Sequence, residues 1–352
     1  MFDAIERAGL AELHLRYDQA SGLRAIIAIH NTHLGPALGG CRCLYYPSEN
    51  AALADVAYLA RSMSYKAALA GLPQGGGKAV IMLPNPLSQT NLDRTALYRA
   101  FGDFVDSLGG HYITAIDSGT ELEDLSVVAE RTRFVVGTAR DGFDPSPVTA
   151  QGLLVAIRTA VQRQLQCASL TGIRVAIQGV GHVGKTLARL LSREGAHLLL
   201  SDNNSLRASA LVREIGGEVV APEAIYDARC DVFAPCGLGG ILNAETIPRL
   251  RCQVVAGCAN NQLQSDEDAE RLAERGILYA PDYVINAGGL ILVSMAYHGR
   301  IEEVPARVEA IATTLEEIFE RAAKWGITTV AVADHMATER LSGEAVSHAH
   351  CG

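Results

Sequence analysis

The stretch I-R-V-A-I-Q-G-V-G-H-V-G-K-T-L-A-R-L-L, which opens at Ile173, limits the fold more than any other part of the chain. An apolar run leads into three glycines spaced as G-x-G-x-x-G (Gly179, Gly181, Gly184), and a helix-forming run follows at once. Gly179 suits a tight turn, Gly181 lets backbone approach a ligand, and Gly184 lets helix and strand pack closely. The N-terminus of the following helix offers free N–H groups and the positive end of its dipole, which favour a phosphate. The next apolar run, H-L-L-L-S-D, ends at Asp202. That is about 20 residues beyond the glycines, where a carboxylate can accept hydrogen bonds from an adenosine ribose. A carboxylate also repels a 2′-phosphate, so NAD is expected in preference to NADP; Arg207, soon after, tempers that preference. The expected cofactor-binding loop is Gly179, Val180, Gly181, His182, Val183 and Gly184, with His182 facing solvent rather than acting as a catalyst.

Around this unit the pattern alternates between strand and helix. Strands are predicted at 174–178, 197–201, 219–221, 231–234 and 253–256, with helices between the earlier ones. The alternation predicts a doubly wound parallel sheet. Upstream the pattern differs. Strands are predicted at 23–30, 78–83 and 112–115, and helices at 50–70 and 93–108, the latter with Asn91 as a candidate cap. Residues 142–147 (G-F-D-P-S-P) read as a hinge or linker. Near the end, 308–322 and 331–341 read as amphipathic helices, and 347–352 as a frayed tail.

A chain of 352 residues is too long for one ordinary core and suits two domains. Its 49 % hydrophobic and 20 % charged residues are those of a globular protein rather than a disordered one. The formal net charge is −9 and there is no basic tail, so a nucleic-acid partner is not expected. Nor is a membrane: there is no leader pattern and no apolar stretch long enough to span, which points to the cytoplasm. The eight cysteines contain no C-x-x-C pair, so reduced, buried thiols are expected rather than zinc or a disulfide framework; no metal site is expected.

A second glycine-rich segment carries other chemistry. S-Y-K-A-A-L-A-G-L-P-Q-G-G-G-K-A-V-I holds Lys66, then Gly75 to Gly77, then Lys78 at the mouth of a predicted strand. It is not a phosphate-binding P-loop, because Ala79 stands where Ser or Thr is required. Three glycines allow backbone to crowd a ligand. One lysine could pair with a substrate carboxylate, while the other, desolvated beside a like charge, could act as a base.

Together these segments resemble the glutamate/leucine/phenylalanine/valine dehydrogenase family, and within it most of all the leucine enzymes. The resemblance covers nearly the whole chain. It rests further on A-I-I-A-I-H-N-T-H-L-G-P-A-L-G-G from Ala25, Y-I-T-A-I-D-S-G-T from Tyr112, S-P-V-T-A-Q-G from Ser146, A-P-C-G-L-G-G-I-L from Ala234, A-G-C-A-N-N-Q-L from Ala256 and P-D-Y-V-I-N-A-G-G-L-I from Pro281. It implies an α/β fold: an N-terminal substrate domain (1–145) joined by a C-terminal helix (327–352), and a Rossmann domain (146–326). By resemblance Lys66 would bind the substrate α-carboxylate, Lys78 would activate water, and Asp117 would exchange a proton with the amino group. Gly39 and Gly40 would bring backbone to the substrate. Leu38, Ala115, Leu290 and Val293 would line the side-chain pocket, with Met63 a further substrate contact. Thr149, Asn260, Asn261 and Asn286 would line the nicotinamide region. The implied partners are a small amino acid and further copies of the chain in a homo-oligomer.

The implied reaction is NAD-dependent oxidative deamination of leucine, valine or isoleucine to the 2-oxo acid and ammonia, in reversible fashion. A phenylalanine or tryptophan dehydrogenase on the same scaffold is the alternative, since pocket volume would decide between them. A non-catalytic NAD-binding regulator should have lost Lys66, Lys78 or Asp117, and all three are present. A Rossmann enzyme for hydroxy acids would not need the lysine pair. The chain departs from its leucine-specific relatives at Ile116, where they commonly carry Glu, and after Gly289, where L-I-L-V-S-M-A-Y replaces a more acidic segment. Those departures bear on substrate choice and subunit contacts.

Overall fold

The computed structural model describes residues 5, 6, 8–84, 92–138 and 144–343. By its contacts the chain divides into two units. One comprises Met1–Asp144, Val293–Ile301 and Ala337–Gly352, the other Pro145–Leu292 and Glu302–Met336.

In the first unit, β1 (Glu12–Asp18), β2 (Leu23–Asn31), β3 (Ala37–Tyr45), β4 (Gly75–Leu83) and β5 (Tyr112–Ile116) form a sheet in the order β1-β2-β4-β3-β5. β2 pairs antiparallel with β1 and β4, whereas β3 runs parallel to β4 and β5. Both faces are covered, which is why β2 reads as a continuous apolar run instead of an alternation. Ala25, Ile27, Ile29 and Ile81 pack with Leu97, Tyr98, Phe101 and Val105 of a helix that follows β4. Ile26, Ala28, Val80 and Met82 face Ala52, Val56, Ala57 and Ala60 of α1 (Glu49–Leu69) on the other side.

Local chemistry sets the helix ends. Ser48 caps α1 by accepting from the Ala51 N–H at 3.1 Å. Arg340 donates to the carbonyls of Ala68 and Leu69 at 3.1 and 3.0 Å, a cation on the negative end of the helix. α2 (Arg94–Asp106) is capped by Asp93, which accepts from the Ala96 N–H at 3.0 Å. Asn91, the candidate cap, lies outside the described residues; Asp93 takes the role. α3 (Leu122–Ala129) opens on Glu121 and Asp124, which close a reciprocal capping box.

In the second unit, β6 (Arg174–Gln178), β7 (His197–Ser201), β8 (Glu218–Val219), β9 (Val232–Pro235), β10 (Val254–Val255) and β11 (Leu278–Tyr279) form a sheet in the order β11-β10-β9-β6-β7-β8. Every pairing is parallel. The order reverses direction at β6, which creates the switch point where such sheets bind ligands. The helices are α4 (Ser146–Leu165), α5 (His182–Arg193), α6 (Ser205–Ile215), α7 (Glu267–Glu274), α8 (Asp282–Ile285), α9 (Gly288–Tyr297), α10 (Val304–Trp325) and α11 (Thr329–Ser342). The division between units runs through two of them, α9 after Leu292 and α11 after Met336.

The strands at 174–178 and 197–201 are as predicted, and the others shift by one to three residues. Residues 146 and 147, read as linker, instead open α4; Pro147 sits in its first turn, where a missing N–H breaks no helical bond. Residues 142 and 143 of that segment and the tail 347–352 lie outside the described residues. β1, β3, β11, α3, α4, α7, α8 and α9 were not predicted. Among the described residues no helix is long and apolar enough to cross a membrane.

Candidate active site

The first unit gathers charge within β3 and β4, beside the end of β5. Lys78 belongs to β4, not to the mouth of the strand, because Gly75, Gly76 and Gly77 are themselves β-structure. Its side chain is only 8 % exposed, and its ammonium pairs with Oδ2 of Asp117, the first residue beyond β5. A lysine is rarely this buried unless paired, and here the partner is a carboxylate, not a like charge. Arg42 on β3 donates from Nε to the same oxygen at 3.1 Å. The Ser118 N–H donates to Oδ1 at 2.7 Å. Burial alone would raise the Asp117 pKa; the Lys78 ammonium, the Arg42 guanidinium and the Ser118 N–H together override it and hold the carboxyl below its ordinary value.

Arg42 is itself fixed. Its Nη1 donates to both carboxylate oxygens of Asp55 on α1, at 3.0 and 3.1 Å, and Asp55 also accepts from the Tyr46 hydroxyl at 2.6 Å. Sequence reasoning missed Arg42, Asp55 and Tyr46. The available signal was a lone arginine inside the apolar run A-L-G-G-C-R-C-L-Y, a residue that strand burial tolerates only with partners.

The glycines crowd protein here. A Cβ on Gly39 would run into the carbonyl of Gly77, and one on Gly76 into the backbone of Ser64 on α1. A Cβ on Gly40 would meet Cβ of Asp117 at 2.7 Å. Gly40 thus lets β3 lie directly beside the carboxylate, opposite Ala115 in the register. Leu38 is 1 % exposed and Ala115 7 %. Lys66 and Met63 are part-buried on α1, while Leu290 and Val293 are part-buried on α9, on either side of the division between units.

His30, on β2, meets the hydroxyl of Ser64 at 2.9 Å. Burial, with a contribution from Arg61, pushes its pKa down to about 4. The unfolded chain takes up this proton near the ordinary histidine value of 6.5 and the folded chain only near 4. Stability is therefore complete above the upper value and falls as pH drops through that window. His30→Gln should flatten the loss. Denaturant unfolding across the window checks this, and equal pH dependence in both proteins would refute it.

The second unit holds the glycine loop at its switch point. Gly179 has φ +97°, and a Cβ there would meet the backbone of Cys236 and Gly237 just after β9. A Cβ on Gly184 would run into the Gly179 carbonyl, so that glycine lets α5 close on β6. Gly181 differs, because a Cβ there meets nothing within 4 Å. No packing demand explains Gly181, and open space above a helix N-terminus without a side-chain cap is where a phosphate fits. Val180 is buried and Val183 part-buried, whereas His182 is exposed. Asp202 accepts from the Val180 N–H at 2.9 Å and the Asn204 N–H at 2.8 Å, so it ties the loop to the end of β7. A groove of about 560 Å³ opens beside the loop between α5 and α6, with Lys185 and Arg207 in its lining.

Beyond β10, Asn286 donates from Nδ2 to Oδ1 of Asn260 at 2.9 Å and to the Cys258 carbonyl at 3.2 Å. Its own Oδ1 is buried without a hydrogen-bond partner. Asn261 has φ +53°, and its N–H donates to Asp282 at 2.7 Å. Thr149 bonds the Pro145 carbonyl at 3.0 Å and borders Gly289. The structure thus brings together Lys78, Asp117 and Gly40 in one unit. In the other it joins the glycine loop to Asp202, and Asn260 to Asn286. The open Gly181 position and the orphaned Asn286 oxygen fit a dinucleotide.

Comparisons with known proteins identify the family. Residues 9–134 match the family model described as Glu/Leu/Phe/Val dehydrogenase, dimerisation domain, and residues 200–347 match Glutamate/Leucine/Phenylalanine/Valine dehydrogenase. The chain is 46 % identical to a leucine dehydrogenase from Thermoactinomyces intermedius over 97 % of its own length and 93 % of the relative's. It is 42 % identical to a phenylalanine dehydrogenase from Bacillus thermotolerans, over 92 % and 86 %. The crystal structure of L-tryptophan dehydrogenase from Nostoc punctiforme is similar with a TM-score of 0.87 at 42 % identity, over 97 % of this chain and 99 % of that one. With a relative this similar across nearly its whole length, the chain belongs to the glutamate/leucine/phenylalanine/valine dehydrogenase family of amino acid dehydrogenases.

Proposed function

We propose that the protein catalyses the NAD-dependent oxidative deamination of a branched-chain L-amino acid, reversibly, to the 2-oxo acid and ammonia. The observation that carries the reading is the buried Lys78–Asp117 pair beside Gly40, a base and a proton acceptor in contact. The family is generally NAD(P)-dependent, and the bound nicotinamide would supply the hydride acceptor.

The chain's residues would do the rest. Lys66 holds the α-carboxylate and fixes the orientation of Cα, a positioning effect. Asp117, held ionised, accepts a proton from the substrate ammonium. Lys78, having released its proton to solvent, regains one from the water that attacks the iminium carbon. Asp117 then returns its proton to the amino nitrogen, the C–N bond breaks to release ammonia, and the freed carboxylate takes the hydroxyl proton as the carbonyl forms. By resemblance Leu38, Met63, Ala115, Leu290 and Val293 would line the side-chain pocket; none of them carries a cation, so a glutamate carboxylate would be left unpaired there. Gly39 gives β3 its close approach to β4, and with Gly40 offers backbone to the substrate. The glycine loop and Asp202 would hold the adenosine and pyrophosphate, and Thr149, Asn260, Asn261 and Asn286 the nicotinamide end. Assembly into a homo-oligomer and a place in the cytoplasm belong to the same proposal.

The test is reduced-cofactor formation with a panel of L-amino acids. Leucine, valine and isoleucine should react within about tenfold of each other per methylene, and glutamate should not react. Preference for phenylalanine or tryptophan would establish the second reading, which the similarity to aromatic amino acid dehydrogenases favours. Preference for glutamate would overturn the pocket assignment.

NAD rather than NADP rests on Asp202. Asp202→Asn should raise the KM for NAD by about tenfold, the worth of one charge-assisted hydrogen bond. It should also narrow the gap to NADP, since the repelling charge is gone while Lys185 and Arg207 stay. Unchanged KM values for both cofactors would refute the role.

A further inference from the structure

We propose that Arg42 is a positioning residue of the reaction, which orients Asp117 and keeps it ionised as the proton acceptor for the substrate ammonium. The inference rests on the function proposed above and deepens it, because it names what sets the protonation state of the acceptor.

The geometry carries the argument. Asp117 lies in a loop just after β5, and a carboxylate there could rotate among several rotamers. Three donors from three places remove that freedom. Oδ2 takes the Lys78 ammonium from β4 and the Arg42 Nε–H from β3, and Oδ1 takes the Ser118 N–H. Lys78 cannot do this alone, because the proposed reaction asks it to give up and regain its proton. Each time it did so as the sole cation, the charge beside Asp117 would change. Arginine keeps its charge throughout. Its fork is also planar, and here it spans two carboxylates: Nε holds Asp117 while Nη1 chelates Asp55 on α1, with the Tyr46 hydroxyl behind. The chain Tyr46–Asp55–Arg42–Asp117–Lys78 therefore anchors the acceptor to the sheet and to α1 at once.

The other titratable groups around Asp117 carry no compensating charge. Cys41 on β3 and Tyr112 on β5 are buried, and burial pushes both upward, so they stay neutral. Tyr46 is pushed up as well, by burial and by Asp55. Asp55, the other carboxylate bonded to Arg42, is held by Arg42 and Tyr46.

The experiment is the pH dependence of kcat/KM for deamination in wild type, Arg42→Gln, Arg42→Lys and Asp55→Asn. Loss of an opposite charge in contact raises a carboxyl pKa by about 1 unit or more. Arg42→Gln should therefore move the acid limb up by about 1 unit and lower kcat/KM. Arg42→Lys should restore the limb but not the rate, because a point charge cannot hold both carboxylates; kcat about tenfold below wild type is expected. Asp55→Asn should leave the limb unmoved or lower it. A merely structural role predicts the same limb in all four proteins with less active enzyme, and that result overturns the proposal. Should Arg42→Gln not fold, a wild-type rate in Arg42→Lys overturns it equally. Infrared titration of the Asp117 carboxyl band, identified by its loss in Asp117→Asn, reads the same shift without turnover. If wild type acts on no amino acid the functional reading fails, yet this band still decides whether Arg42 holds Asp117 ionised.

Discussion

Lys78→Ala is expected to lower kcat for amino acid deamination by at least about 10²-fold, the usual contribution of a general base, while the chain stays folded. The two halves of that expectation come from different contacts. The rate falls because the proposed water activation needs a base, and the other groups on Asp117 are an arginine and the N–H and hydroxyl of Ser118, none of which is a base at neutral pH. The fold survives because Asp117 is not orphaned. Removing one partner of a buried pair commonly costs about 3–5 kcal/mol when the remaining charge is left alone. Here Arg42 and Ser118 stay on the carboxylate, so the loss should be smaller. Steady-state kinetics with circular dichroism and denaturant unfolding on the same preparation check both halves. Near-normal turnover would remove Lys78 from the chemistry. Loss of folded protein would show that the pair is structural first.

The largest expected effect on stability comes from a position without any chemistry. Gly76→Ala should destabilise the first unit by more than about 4 kcal/mol, a size reserved for substitutions that break packing or strain backbone. The added Cβ would run into the backbone nitrogen and Cα of Ser64, which cannot swing aside as a side-chain tip can. α1 would have to lift from β4. The layer of Ile26, Ala28, Val80, Val56 and Ala60 would then open to water. Gly181→Ala is the control. Its Cβ meets nothing, so unfolding should be unchanged while the KM for the cofactor rises. Equal stability of wild type and Gly76→Ala in denaturant would show that the α1–β4 contact can relax.

These two glycines mark what can be read along a chain. The loop at Gly179–Gly184 was legible because its determinants are local: a strand, three glycines and a helix within one short stretch, and Asp202 at the end of the next strand. The strands at 174–178 and 197–201 were legible for the same reason, as were the helices whose apolar residues recur at helical spacing. β3 was not. Ala37–Tyr45 carries two glycines and an arginine, a poor strand by propensity. It is a strand because β4 and β5 flank it and leave no room for a Cβ at Gly39 or Gly40, which are properties of its neighbours. β1 escaped notice for a different reason: it is an edge strand, with Leu15 and Tyr17 more than half exposed, so no buried face stamps a pattern on it.

The candidate site divides along the same line. Sequence by itself determined the α/β architecture, the glycine loop as a candidate dinucleotide site and, through resemblance, the candidacy of Lys66, Lys78 and Asp117, because these depend on residue type and spacing. Tertiary structure decided that Lys78 meets Asp117, and that Arg42 shares that carboxylate with it. It also decided that the glycines at 75–77 crowd α1 and neighbouring strands. Positions 42, 55, 78 and 117 lie on β3, α1, β4 and just past β5, and the crossover order of the sheet makes them neighbours. A charge is tolerated at a buried position only if an opposite charge arrives from elsewhere in the chain, and that arrival is a fact of folding, not of spacing.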